Sequence, residues 1–175
     1  MKKILFLTLG LLMLTGCSSN GNVSKRAYLR AAAFDGNRFT LSFFTEEDGV
    51  ITITADNPEE AKKIAELSVG KEIFTGHTEL IMLKNCDSLE TLDYMLHEWK
   101  VSPSCIIAQP EFNGRTILAQ KKPEELTGSI KMAKEQELAP DCDIITVLSG
   151  LLNDDGTAET AELSEKGFCG VVKLK

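Results

Sequence analysis

The first hydrophobic block of the chain lies at its amino terminus. Lys2 and Lys3 precede residues 4–14, which are apolar apart from Thr8 and Gly10. A basic start followed by a short apolar run is typical of an export signal. As a helix this run would rise about 16 Å, roughly half of the hydrocarbon core of a bilayer, so a permanent transmembrane helix is disfavoured. We therefore predict that residues 1–16 are a signal peptide, removed from the mature protein.

The apolar run ends at a cysteine flanked by small residues. The stretch Leu14-Thr15-Gly16-Cys17-Ser18-Ser19 resembles the lipobox of bacterial lipoproteins, whose cysteine receives diacylglycerol. Cys17 is therefore the predicted lipid attachment site; the alternative is an ordinary secretory signal with a cysteine at its cleavage site. Two acyl chains hold a protein stably on a membrane. Residues 17–24 are small and polar and are the predicted flexible, lipidated tether.

Alternation of apolar and polar residues predicts three strands after the tether. They cover residues 28–34, 38–45 and 50–54, and the turn sequences Asp35-Gly36-Asn37 and Glu47-Asp48-Gly49 separate them. Asparagine, aspartate and glycine are the usual residues of hairpin turns. The simplest arrangement is an antiparallel meander.

Capping residues then mark two helices. Asn57 followed by Pro58 begins the first helix and Gly70 ends it, whereas Asp87 begins the second. A buried strand is predicted between them, over residues 80–83. Apolar residues recur at helical spacing on the second helix, which predicts a face packed on the sheet: Leu92, Met95, Leu96 and Trp99.

Strands and helices also alternate through the second half of the chain. Residues 104–108 predict an interior strand, and Pro123 begins a third helix that continues to about residue 138. A fourth helix is predicted from Asp141, its cap, to Leu152, and residues 167–173 predict a final strand. The expected fold is a single α+β (mixed α/β) domain over residues 25–175, with a mostly antiparallel or mixed central sheet and three to four packed helices.

Charge narrows the range of partners. The chain without residues 1–16 has 17 basic and 26 acidic side chains, a net charge of about −9 with neutral histidines. This sign disfavours nucleic acid as a partner and direct electrostatic attraction to anionic lipid. The predicted contact with the membrane is therefore the lipid anchor.

Four cysteines follow the predicted anchor, at positions 86, 105, 142 and 169. No two have the two-residue spacing of a zinc knuckle or a redox motif. Export permits disulfides, but each cysteine lies beside apolar or strand-forming residues. We favour buried thiols over disulfides for Cys86, Cys105, Cys142 and Cys169.

Only two histidines are present, and neither marks a catalytic or metal site. A zinc site would need His77 and His97 to converge with a carboxylate such as Glu79. A nucleophilic pair of Cys105 and His77 is conceivable, but no third residue is marked to orient the imidazole. The favoured alternative is a His77 packed in a turn and a His97 facing solvent. We therefore expect no enzyme activity, cofactor or metal.

Three short motifs follow one another in an order that resembles a known family. They are Gly76-His77-Thr78-Glu79-Leu80-Ile81-Met82-Leu83, Leu92-Asp93-Tyr94-Met95-Leu96 and Ser104-Cys105-Ile106-Ile107-Ala108. In this order, behind a lipobox, they resemble the C subunit of spore germinant receptors, the GerAC-like lipoproteins. The resemblance covers residues 25–175 and corresponds to the N-terminal domain of that family. Full members continue through further domains, so we expect a truncated or regulatory member.

The resemblance implies a non-enzymatic role. Such a lipoprotein assembles with two integral-membrane subunits, of the A and B types, on the outer face of the spore inner membrane, and serves the response to nutrient germinants. The alternative is a free-standing envelope lipoprotein that binds a small ligand in a pocket near Gly76 and His77. The residues alone leave both functions open.

Overall fold

The computed structural model describes residues 26–44 and 49–175. The predicted signal peptide, Cys17 and the tether lie outside the described residues. So do the last residue of the predicted second strand and the start of the turn that follows it, because residues 45–48 are not described.

The described residues form one α+β domain around a mixed sheet. The strands are β1 (Arg26–Asp35), β2 (Arg38–Phe43), β3 (Val50–Thr54), β4 (Glu72–Phe74), β5 (Leu80–Lys84), β6 (Ile106–Pro110), β7 (Ala158–Ser164) and β8 (Gly167–Leu174). The helices are α1 (Pro58–Val69), α2 (Ser88–His97), α3 (Gly114–Gln120), α4 (Pro123–Glu135) and α5 (Ile144–Leu151). The predicted fold class is confirmed.

The sheet has a parallel centre and antiparallel edges. Its order is β3-β2-β1-β5-β6-β7-β8, and β4 pairs with the start of β1. Strands β1, β5, β6 and β7 run parallel, whereas the hairpins β1–β2, β2–β3 and β7–β8 are antiparallel. Parallel neighbours need crossover connections, and here the crossovers contain helices: α2 joins β5 to β6, and α3 to α5 join β6 to β7.

Both faces of the sheet are covered. One core cluster contains buried residues of β1, β5 and β6 together with those of α1, α2 and α5, such as Ala61, Leu92 and Ile144. The other contains residues of the opposite sheet face with α3 and α4, such as Leu118 and Leu126. The buried central strands explain why their sequences are almost continuously apolar. Trp99 is 3% exposed, so its predicted core position is confirmed.

Helix ends follow the capping residues in most cases. The Asn57 side chain accepts a hydrogen bond from the Glu60 amide at 2.9 Å, and Gly70 ends α1 with a left-handed φ of 66°. Asp87 caps α2 in the same way, through the Glu90 amide. These two predicted helix starts are confirmed.

The prediction for the fourth helix is wrong at its start. Asp143, not Asp141, is the cap of α5, and it accepts hydrogen bonds from the amides of Ile145 and Thr146 and from the Thr146 hydroxyl. Partial burial alone would raise the pKa of Asp143, but these hydrogen bonds hold its pKa below the ordinary value. Asp141 instead forms an ion pair with Lys134.

Three elements were not predicted, and the first is β4, a strand of only three residues. Helix α3 has only seven residues, so it carries too little periodicity to be recognised in sequence. Strand β7 consists largely of alanine and glutamate, which have low strand propensity, and its pairing with β6 and β8 overrides that propensity.

The four described cysteines are free thiols, and two of them are buried. Cys105 and Cys142 confirm the prediction, and Cys86 is partly buried. Cys169 is exposed, so the prediction of a buried thiol is wrong there. The reason is that β8 is an edge strand in which exposed residues alternate with less exposed ones.

Candidate functional site: a cleft at the amino edge of the sheet

The loop between β4 and β5 lies beside β1 and forms one wall of a cleft. Tyr28 of β1 pairs with Phe74, and Ala31 pairs with Leu80. Between these two pairs, two residues of β1 lie opposite residues 75–79, which link β4 to β5. The extra residues of this segment form a loop that leaves the sheet. Because β1, β5 and β6 are parallel, this loop lies at their amino edge, opposite to the carboxyl edge where open α/β sheets usually bind ligands.

Hydrogen bonds fix the loop on both sides. The Glu79 amide donates to the Arg30 carbonyl at 2.7 Å, which returns the chain to β1. The Thr78 amide and hydroxyl both donate to the Thr75 carbonyl, at 3.0 and 2.7 Å. The Thr75 hydroxyl in turn donates to the carbonyl of Trp99. The loop is thus connected both to the sheet and to the end of α2.

Aromatic rings pack against this loop. The centroid of the Tyr28 ring lies 5.6 Å from that of the Phe74 ring, in an edge-on arrangement. It lies 6.2 Å from the centroid of the His77 imidazole, in a stacked arrangement. Position 76 favours glycine because a Cβ there would lie 2.8 Å from the Phe74 ring. The predicted role of His77, packing in a turn, is confirmed.

Arg30 connects the strand, the loop and α4. Its Nη2 lies 3.1 and 3.2 Å from the two carboxylate oxygens of Glu79, and its Nη1 lies 2.9 Å from Glu124. The guanidinium also lies 5.1 Å from the centroid of the Phe44 ring. The side chain is only 14% exposed. Arg30 therefore holds three elements together at the base of the cleft.

The cleft has a volume of about 700 Å³. Strand β1 contributes Tyr28 and Arg30, and the loop contributes residues 76–79. Ser104 lies just before β6, and Ile106 is the first residue of β6. Thr127 and Lys131, one helical turn apart on α4, form the facing wall. A cleft of this size suits a small organic ligand. It lies where the sequence predicted a pocket, beside Gly76 and His77.

The structure does not bring the other candidate residues together. Cys105 is 1% exposed in the core on one sheet face, and burial raises the pKa of its thiol. His97 faces solvent on α2, where its Nδ1 lies 3.1 Å from Asp93. Within residues 26–44 and 49–175, no cluster of three histidine, cysteine, aspartate or glutamate side chains is placed to hold a metal.

Sequence reasoning missed Arg30, Phe44 and Lys131 as residues of the site. A signal existed for Arg30, because an arginine within the apolar run of a predicted strand needs a partner for its charge. No such signal existed for Lys131, which lies 101 residues further along the chain and reaches the cleft only because α4 packs beside the loop.

Comparison with known proteins defines the class but not an individual family. A family model of the prokaryotic membrane lipoprotein lipid attachment site matches residues 1–18. No curated protein and no solved structure matches the chain. Among the described helices, none is long and apolar enough to cross a membrane. The chain is thus a membrane-anchored lipoprotein of the prokaryotic envelope that carries an α+β domain.

Proposed function

We propose that this lipoprotein is a non-enzymatic component or modulator of a nutrient germinant receptor complex in the spore inner membrane. The observation that carries the proposal is the ordered set of motifs at residues 76–108 that resembles the receptor C subunits. Two of these motifs form β5 and β6, which are neighbours in the sheet with Leu80 paired to Ile106. The leading residues of both motifs line the cleft, so two of the three motifs meet at one surface.

The burial of Cys105 supports a role without catalysis. A nucleophilic cysteine needs a thiolate in an accessible and electropositive environment. Cys105 is instead a buried thiol with a raised pKa, and no hydrogen bond joins it to a described histidine. The cleft then serves binding or assembly.

The proposal is tested in a spore-forming host that encodes the protein. We expect that deleting the gene changes nutrient germination and that the tagged protein co-purifies with integral-membrane subunits of the A and B types. The Cys17→Ala variant should lose both properties, whereas Cys169→Ala, which changes an exposed thiol on β8, should keep them. Normal germination without the gene, together with no co-purifying membrane subunits, would refute the proposal.

A second candidate function is a free-standing envelope lipoprotein that binds a small ligand. The observation that favours it is the cleft itself, whose 700 Å³ lies in the range of natural ligand sites, about 300–1,000 Å³. Thermal shifts of the full chain with amino acids and sugars test this function. A ligand should stabilise the wild type but not Ser104→Trp, which fills the cleft. The control Ser149→Trp places the same ring on an exposed position of α5. Equal stabilisation of both variants would exclude the cleft as the site.

A further inference from the structure

Several polar groups on the lining of the cleft are already paired within the protein. Both carboxylate oxygens of Glu79 accept from Arg30. The hydroxyls of Thr78 and Thr127 donate to backbone carbonyls of their own segments, at 2.7 and 3.3 Å. The donor hydrogens of these two hydroxyls are therefore used within the protein, and a ligand oxyanion needs other donors on the lining.

Two donor groups on the same lining, the Lys131 ammonium and the Nε of Arg30, have no hydrogen-bond partner among the described residues. Lys131 forms no hydrogen bond or ion pair with any described residue, and it lies one helical turn beyond Thr127 on the wall of the cleft. The Nε of Arg30 is buried and has no hydrogen-bond partner within the described ranges. A buried donor without a partner is costly unless a ligand or water satisfies it.

The charged side chains of the lining also favour an anionic ligand. Among the described residues these side chains are Arg30, Lys131 and Glu79, and Arg30 is already paired with Glu79 and Glu124, which leaves Lys131 as the charge without a described partner. Tyr28 and Ile106 supply an apolar surface beside these charges.

We propose that the cleft takes a small ligand that bears an oxyanion, a carboxylate or a phosphate. The oxyanion lies on Lys131 and the apolar or aromatic body of the ligand lies against Tyr28 and Ile106. This inference rests on the second proposed function, that the cleft binds a small ligand. Carboxylates and phosphates are the groups that lysine and arginine donors recognise most strongly.

Matched probes test the inference on the full chain purified in detergent. Benzoate and benzamide have nearly the same shape and differ in charge; phenyl phosphate is a second free oxyanion, and dihexanoyl phosphatidylglycerol presents the phosphate of a lipid headgroup. Calorimetry should give a dissociation constant about tenfold lower for benzoate than for benzamide, the size expected for one charge-assisted hydrogen bond. Tighter binding of phenyl phosphate or of the short-chain lipid distinguishes a free ligand from a headgroup.

Two variants on one helix localise the effect. Lys131→Met should abolish the preference for the oxyanion, whereas Lys134→Met should retain it because Lys134 pairs with Asp141 instead of lining the cleft. An unchanged preference in Lys131→Met, or no oxyanion binding at millimolar concentrations, overturns the inference. Equal binding of benzamide and benzoate at the cleft would leave the second proposed function intact while removing its anion preference.

Discussion

Replacing Arg30 by methionine tests the geometry at the base of the cleft. Arg30 donates to Glu79 and Glu124 and lies over the ring of Phe44. Methionine keeps most of the apolar stem but removes the charge. The two glutamates are 43% and 48% exposed, so each ion pair is worth only about 0.5–1 kcal/mol, the range for solvent-screened pairs. The cation–π contact adds roughly 0.5–1 kcal/mol.

These contributions sum to a loss of about 2 kcal/mol in the free energy of unfolding for Arg30→Met. Arg26 is the matched control because it lies on the same strand and makes one ion pair, with Glu72, at 43% and 66% exposure. Its ring contact with Phe74 is also longer, at 5.9 Å. Arg26→Met should therefore cost roughly 0.5 kcal/mol or less.

Urea unfolding measures the difference. Trp99 is the sole tryptophan and is 3% exposed, so its fluorescence reports the loss of the core. The midpoint should fall in Arg30→Met with an unchanged slope, which indicates a change in stability alone. In thermal unfolding the loss corresponds to roughly 4–8 °C for a domain of this size. Equal stability of the two variants would refute the assignment of Arg30 as the connection between strand, loop and α4.

Three further predictions follow from particular contacts. Gly128→Ala should stabilise the chain by up to about 1 kcal/mol because the new methyl group meets nothing within 4 Å. Gly114→Ala should destabilise it by about 1–3 kcal/mol because that methyl group would lie 2.5 Å from a β1 side chain. Urea unfolding compares the two variants. Asp143→Ala should cost about 1 kcal/mol at neutral pH. The pKa of Asp143 is lowered in the folded chain, so this difference should disappear as pH falls through that pKa, and a constant difference down to pH 2 would contradict the cap. Iodoacetamide followed by peptide mass spectrometry should modify Cys169 in the native chain and Cys105 only after unfolding; equal rates would contradict their burial.

Prediction from the sequence was most accurate for structural features that depend on one residue and its immediate neighbours. Asn57 and Asp87 cap their helices because a side-chain oxygen reaches an amide three residues away. Apolar runs such as residues 80–83 become buried strands because both sheet faces are covered. Strand β7 escaped prediction because its neighbours, and not its own side chains, determine its conformation.

The cleft was predictable only in part. The pair Gly76 and His77 indicated where the chain would turn, and the cleft lies there. Its facing wall depends on the docking of α4, through the ion pair of Arg30 with Glu124. A contact between residues 94 positions apart leaves no periodic signal in a single sequence. The germinant-receptor resemblance likewise stays a prediction, because the comparisons support the lipoprotein class alone and not that family.

The most direct test of the central claim is metabolic labelling with radioactive palmitate in the native host. The account predicts label in the membrane-bound wild-type protein and in Cys169→Ala, and no label in Cys17→Ala. Matching mass spectrometry should place the lipid on a mature chain that begins at Cys17. Label that persists in Cys17→Ala, or a mature chain that begins elsewhere without lipid, would contradict the account of a protein anchored through that residue.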